Sequence, residues 1–336
     1  MATASTLHPP AQELVDAPVL ARLRRRSDII GVALIAHAWG VIFAAMTLFA
    51  FYPNPLTFLL AVMLIGARQL GLAILMHDAS HNALMTTPER NDSFSDWFCA
   101  WPIGSRTAAY RHYHLKHHAR TQQEDDPDLI LSAPFPITRK SMRRKLVRDL
   151  TGQTGFKQRK AQFLEALGTP DMTLAQRVRY FFHKLGGILL TQAILLALCA
   201  VIFHWSYYVL FWVVPILTYH MAITRMRNIA EHAIVPDDND PFRNARTTHA
   251  GWLARAFVAP YWVNYHVEHH LLMYIPCYRL PALRRALLAR GLGGRMETAQ
   301  NYLEILRRAA SRPDDEDNSS PQTPASGHFA EGFSAQ

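Results

Sequence analysis

The chain has 336 residues, of which 50% are hydrophobic, and a formal net charge of +9. The positive charge fits contact with anionic lipid headgroups, and we expect no nucleic-acid partner because no aromatic-basic platform accompanies it. Cys99, Cys199 and Cys277 are isolated in the sequence, which argues against a disulfide framework and against a thiolate metal site.

The predicted elements begin with a polar amino-terminal segment, residues 1–28, that ends in a cluster of arginines. Four apolar runs follow, each close to the ~20 residues that cross the hydrocarbon core of a bilayer. They cover residues 29–51, 56–76, 185–203 and 207–224. We therefore predict an all-α integral membrane protein with four transmembrane helices arranged as two hairpins.

Charge predicts the orientation. The connectors inside each hairpin carry no Lys or Arg, and because basic residues stay cytoplasmic, both termini and the long middle segment are predicted to be cytoplasmic. Arginine outnumbers lysine, which favours a GC-rich bacterial source and hence the inner membrane. After a membrane domain over 29–285, we expect a cytoplasmic helix over 286–310 and a disordered tail over 311–336.

Three histidine clusters lie in the polar segments. Their i, i+3 and i, i+4 spacings put the imidazoles of each cluster on one helix face. The clusters are His77 and His81; His114, His117 and His118; and His266, His269 and His270. Eight imidazoles, the commonest metal-binding side chain, exceed the four ligands of a tetrahedral zinc, so the pattern predicts two metal ions. Asn228 and His232 share a face beyond the fourth run, and every candidate is predicted to lie on the cytoplasmic side.

These motifs resemble those of the membrane fatty acid desaturase and hydroxylase superfamily. The resemblance covers roughly residues 29–285 and rests on HDASH at 77–81, RHYHLKHH at 111–118, RNIAEH at 227–232 and NYHVEHH at 264–270. It implies a cytoplasmic helical cap with two non-haem irons. The irons would be held by His232 and by the eight histidines of the three clusters, which are called the first, second and third box from here on. It also implies that Asn228 reaches a metal through water, whereas His112 matches no ligand position.

The resemblance further implies chemistry and partners. O2 is the expected co-substrate, and a lipid acyl chain is the expected substrate for desaturation. The electrons are expected from a separate ferredoxin or b-type cytochrome with its reductase, since the chain has no flavin, dinucleotide or iron–sulfur motif. The basic stretch at 139–148 is a candidate surface for that donor or for lipid headgroups.

Other functions stay open at this point. A hydroxylase or ketolase of the same superfamily, acting on fatty acyl, sphingoid or carotenoid substrates, has boxes of the same kind. An intramembrane zinc hydrolase would need a motif such as HExxH, whereas Asp78 follows the first histidine here and the other clusters would be superfluous. A metal transporter would need histidines inside the spans.

Several acids adjoin the predicted ligands. We expect Asp78, Glu231 and Glu268 to accept hydrogen bonds from imidazoles and to offset the charge of the metals. Solvated surface acids are the alternative. Asp126 and its neighbours after the second box suggest the same role or a local turn around Pro127.

Three polar residues inside the spans are candidates for a substrate channel. Arg68 lies within an apolar run, where a charge is costly. It is predicted either to reach the headgroups or to bind a polar group of the substrate or a carboxylate near the metals. His220 and Thr224 share the face that leads to Asn228, with interhelical packing as the alternative.

Overall fold

The computed structural model describes residues 9–313. Four of its helical segments are long and apolar enough to cross a membrane, which confirms the prediction of an all-α protein with four membrane helices. These segments are Asp28–Phe51, Pro55–Ser80, Leu174–Ile202 and Ser206–His232. They pair as two hairpins, because only residues 52–54 and 203–205 separate the members of each pair.

The α-helices are numbered in chain order, and the two-residue strands β1 and β2 pair in parallel. The elements are α1 (Ala11–Leu14), α2 (Ala17–Leu23), α3 (Asp28–Phe51), α4 (Pro55–Ser80), α5 (Pro88–Ser95), α6 (Thr107–Arg120), α7 (Leu129–Ser132), α8 (Arg139–Leu150), α9 (Gln153–Ala166), α10 (Leu174–Ile202), α11 (Ser206–Tyr208), α12 (Val214–Leu217), α13 (Tyr219–His232), β1 (Thr247–Thr248), α14 (Trp252–Phe257), α15 (His266–Leu271), α16 (Leu280–Ala289), β2 (Thr298–Ala299) and α17 (Tyr302–Ala309). Single π-helical turns occupy Asp96–Ala100 and Val209–Val213.

The first hairpin turns sharply because local chemistry starts α4. The Asn54 side chain accepts hydrogen bonds from the first backbone N–H groups of the helix, and Thr57 completes a capping box. Pro55 stands at the first helical position, where its missing N–H is not needed. The helix then continues beyond the predicted run to Ser80, so His77 lies in its last turn.

The fourth span is not one straight helix. It begins as α11, passes through the π-helical turn, and breaks at Thr218, whose φ of −117° and ψ of −90° are not helical. Pro215 lacks a backbone N–H, and a π-turn next to it shifts the hydrogen-bond register. After the break, α13 runs without interruption to His232, so the helix extends past the predicted end at residue 224.

The prediction of one continuous helix over 286–310 is wrong. The chain forms α16, a 3₁₀ turn at Leu292–Gly294, strand β2 and then α17. The physical reason is a glycine-rich interruption: Gly291 has a φ of +75°, and Asn301 then caps a new helix. The predicted tail begins as an extended segment at 311–313, and its remainder, 314–336, lies outside the described residues.

Candidate metal centre

The histidine clusters converge at the end of the membrane helices. His77 and His81 lie at the end of α4, the second cluster lies on α6, His232 ends α13, and the third cluster lies on α15. All nine side chains are buried. The helical spacing inferred for each cluster is therefore present, and the fold brings all four segments to one place.

The nine imidazoles fall into groups that can each hold an ion. Five of them, His77, His81, His114, His118 and His269, offer nitrogens within 4.8 Å of one another. A second set contains His117, His232 and His270, and a third contains His232, His266 and Glu231. The second and third sets share His232, so the groups can be combined into two neighbouring candidate centres.

The distances between facing nitrogens fit a common ion. The Nε2 atoms of His114 and His118 are 3.0 Å apart, and those of His118 and His269 are also 3.0 Å apart. In the other group, Nε2 of His266 lies 2.7 Å from that of His232 and 3.1 Å from that of His270. Two nitrogens at about 2.1 Å from one ion and at a right angle would be about 3 Å apart.

Unpaired nitrogens point to the same conclusion. Nε2 of His77 and both ring nitrogens of His81 are buried and have no hydrogen-bond partner among residues 9–313. A buried polar atom without a partner is costly, and a bound metal ion would take the one lone pair that each neutral ring offers. The donor set therefore fits a site with two metal ions.

Arg111 fixes the relation between α4 and α6. Its guanidinium donates to the backbone carbonyls of Ala79 and Ser80 at the end of α4, at 3.0 and 2.9 Å. The same side chain forms an ion pair with Asp92 on α5. Since Arg111 begins the second box, this cap places the second cluster next to His77 and His81.

Arg246 caps the carboxyl-terminal end of α13, as Arg111 caps that of α4. Its buried guanidinium donates to the carbonyls of Ala233 and Ile234, at 2.8 and 2.7 Å. Gln122, just after the second box, donates to the carbonyl of His232 at 2.7 Å. Neither residue was singled out from the sequence, because only the folded chain shows which carbonyls they reach.

The third box is anchored through Thr247 and Glu268. The Thr247 hydroxyl accepts a hydrogen bond from the Val267 backbone N–H at 3.1 Å and donates to the Glu268 carboxylate. Arg284 on α16 donates to the other oxygen of Glu268 at 2.6 Å. Glu268 thus holds α15 in place rather than accepting a bond from an imidazole in the described contacts.

The predicted acids differ in what they contact. Asp78 accepts a hydrogen bond from the Cys277 backbone N–H at 2.8 Å and so ties the segment after the third box to α4. Oε2 of Glu231 accepts a hydrogen bond from the Arg227 guanidinium at 2.8 Å, and the same oxygen lies 3.5 Å from Nε2 of His266. Glu231 therefore stands close enough to be a ligand itself.

Asp126 orients the imidazole of His117. Its Oδ1 is 2.8 Å from Nδ1 of His117, and both side chains are only 2% exposed. The carboxylate also accepts backbone N–H groups from Gln122 and Asp128, at 2.8 and 2.9 Å. Both sequence interpretations of this stretch therefore hold: the acid lies in a local turn around Pro127 and supports an imidazole.

Electrostatics keep most of the imidazoles neutral. Burial, helped by the nearby Arg111 charge, lowers the pKa of His81 to about 3. Burial also holds the pKa of His114 and of the third-box histidines well below the usual value. His117 is the exception, because Asp128 and Asp126 outweigh burial and raise its pKa. Neutral imidazoles keep the lone pair that a metal requires.

A model of the fatty acid desaturase family matches residues 53–297, which include every histidine box. The chain belongs to the fatty acid desaturase family. It is also similar to a dihydrorhizobitoxine desaturase of Bradyrhizobium elkanii, with 29% identity over 265 residues that cover 76% of this chain and 74% of the relative.

Two small cavities reach the histidines of this desaturase-family protein. One, of about 20 Å³, is lined by His77, His117, Glu231 and Asn228 among others and has room for a water molecule. Asn228 therefore faces this cavity, and its water-mediated contact with a metal stays a prediction. Its Oδ1 accepts a hydrogen bond from Arg227 at 2.7 Å.

The second cavity lies between α4 and α13. Its lining includes His77, His220 and Thr224, and a substrate channel along the last two stays a prediction. The volume is about 40 Å³, so a long chain enters only if neighbouring side chains move. Met76 and Met221 line it, and methionine side chains adapt readily to a new neighbour.

Arg68 does not line either of these cavities. Its guanidinium donates to the carbonyls of Arg255 and Ala256, at 3.2 and 2.8 Å, and so caps the end of α14. It also lies over the ring of Tyr261. Backbone carbonyls thus offset the cost of a charge inside the span.

Proposed function

We propose that this protein is an O2-dependent membrane desaturase that forms a C=C bond in a lipid acyl chain with two histidine-bound iron ions. The observation that carries the proposal is the convergence of nine buried histidines from four separate segments at the ends of two of the long apolar helices. Membership of the fatty acid desaturase family supports the same chemistry. When bound, the irons supply the reduction of O2 that removes two hydrogens from adjacent carbons.

The chain's own residues bind and orient the metals. The five-imidazole group holds one ion, and His117, His232, His266 and His270 hold the other, with Glu231 beside them. Asn228 holds a water molecule in the small cavity that it lines. Asp126 keeps Nδ1 of His117 protonated, so that Nε2 carries the free lone pair.

The stoichiometry requires a partner. O2 takes two hydrogens from the substrate and two electrons and two protons from elsewhere, and leaves as two water molecules. A separate ferredoxin or b-type cytochrome with its reductase supplies the electrons in this proposal. Arg143 and Arg144 on α8 are exposed and available to an acidic donor, but Val147 and Leu150 are exposed beside them, which also suits a lipid surface.

The proposed location is the bacterial inner membrane, with the metal centre and both termini on the cytoplasmic side. The basic segments that flank the hairpins support this orientation. A reporter enzyme that is active only outside the cytoplasm, fused after residue 313, is expected to be inactive. An active fusion would reverse the topology.

Mass spectrometry of total lipids from cells that express the chain tests the activity. The wild type is expected to form a product lighter by two hydrogens, which disappears in His114→Ala. The matched control is His112→Ala, since His112 lies on the same helix, is exposed and belongs to none of the three groups. A product heavier by one oxygen would assign a hydroxylase instead. One zinc per purified chain, rather than two irons, would refute the proposal.

A further inference from the structure

The cavity between α4 and α13 has two unlike walls. The α4 wall is apolar and consists of Leu70, Ala73, Ile74 and Met76 before it reaches His77. The α13 wall presents polar side chains at successive turns, His220, Thr224 and Arg227. A ligand that passes along this cavity towards the metals therefore meets hydrocarbon on one side and hydrogen-bonding groups on the other.

Three atoms of the polar wall lack partners. Within residues 9–313, Nδ1 of His220, Oγ1 of Thr224 and Nε of Arg227 are buried and make no hydrogen bond. Threonine hydroxyls in helices often bond to their own backbone, and Thr191 does so here, donating to the carbonyl of Ile188. Thr224 does not, which leaves its hydroxyl for a ligand.

The spacing of these atoms gives the depth of the polar wall. His220, Thr224 and Asn228 follow one another at four-residue steps, each about 6 Å along the helix axis. Because Asn228 already lines the cavity at the histidines, Thr224 stands about one helical turn from that cavity. A group that contacts Thr224 is thus only a few bonds away from the carbon atoms that react.

A half-buried cation adds to this polarity. The Arg159 guanidinium lines the same cavity and donates to the oxygens of Ile103, Gly104 and Gln162. In the described part of the chain it forms no ion pair with a carboxylate. Its charge favours an electron-rich oxygen nearby.

We infer that the substrate carries a hydroxyl or amide group that enters the channel with the chain and binds Thr224, His220 and Arg227. The substrate class is then an oxygen-bearing amphiphile, functionalised within about one helical turn of the bond attacked, and not a plain saturated acyl chain. This inference rests on the proposed function, since it takes the cavity as the route to the metals.

The test compares two probes of equal length, 1-dodecanol and n-dodecane, by calorimetric titration into iron-loaded protein in detergent. The wild type is expected to bind 1-dodecanol more tightly. Thr224→Val is expected to weaken 1-dodecanol binding about three- to tenfold, the usual effect of losing one neutral hydrogen bond, and to leave n-dodecane unchanged. Thr224→Ser keeps the hydroxyl and should restore binding. The control Thr191→Val alters a buried hydroxyl outside the cavity and should change neither affinity.

Equal affinity of the wild type for the two probes, or an unchanged affinity of Thr224→Val for 1-dodecanol, would overturn the inference. Iron content and the lipid product are measured on the same preparations. If the protein holds two irons and forms a desaturated product but binds the two probes equally well, the inference of a polar substrate is refuted and the proposed function is not. Absence of iron would remove the proposed function itself.

Discussion

Replacing Asp126 by asparagine removes one negative charge behind His117 with little change in shape. In the wild type, the carboxylate accepts the ring N–H of His117 at 2.8 Å in a buried environment. A hydrogen bond to a charged group contributes about 1.5–3 kcal/mol and a neutral one about 0.5–1.5 kcal/mol. The loss of roughly 1–1.5 kcal/mol corresponds to about tenfold weaker metal binding, at the low end of the effect known for such supporting residues.

The assay is iron content after dialysis against a graded series of chelator concentrations. Asp126→Asn is expected to release one iron at about a tenfold lower chelator strength while the other iron stays bound, because His117 belongs to only one of the two centres. Asp125→Asn is the matched control, since that acid is about half exposed and pairs with Arg120 at the surface. Identical release curves for the wild type and Asp126→Asn would refute the assignment of His117 as an oriented ligand.

Three further outcomes are expected. Thr247→Val should lower the free energy of unfolding by about 0.5–2 kcal/mol, as the loss of a helix cap does. Thr248→Val is the control, because that buried hydroxyl has no partner among the described residues. Equal melting temperatures of the two variants would contradict this. Gly71→Ala should cost about 1–3 kcal/mol by overpacking, since its Cβ would lie 2.6 Å from the Tyr261 ring, whereas Gly40→Ala meets nothing within 4 Å and should cost nothing. Stripping the metal with a chelator should lower the melting temperature and ferrous iron should restore it; an unchanged melt would show that the buried imidazoles hold no ion.

The parts of this protein that the sequence predicts well are those governed by local periodicity. His114, His117 and His118 lie on one helix with the i, i+3 and i, i+4 spacing that was used to group them. The continuation of α13 to His232 likewise agrees with the shared face of Asn228 and His232. In both cases a single helix decides the geometry, and 3.6 residues per turn is all that is needed.

Contacts between distant segments were not predictable in the same way. Asp78 adjoins His77 in sequence, yet its carboxylate reaches Cys277, because on a helix consecutive residues point in different directions. Asp126 does hydrogen-bond an imidazole, that of His117 nine positions away, and Glu231 lies 3.5 Å from His266 on another segment. The role of Arg68 depends on where α14 ends, which no local pattern reports.

The spread of the histidines along the chain has a consequence for biosynthesis. The first histidine of the candidate centre, His77, and the last, His270, are separated by 193 positions (270 − 77), and the five-imidazole group already includes His269. Neither centre is complete until the ribosome has passed the third box and both hairpins are in place. In the proposed function, metal loading would therefore follow the synthesis of the third box and the insertion of both hairpins. A chain inserted without iron would carry an unfilled centre, and iron supplied after protein synthesis has been stopped would be expected to restore its activity.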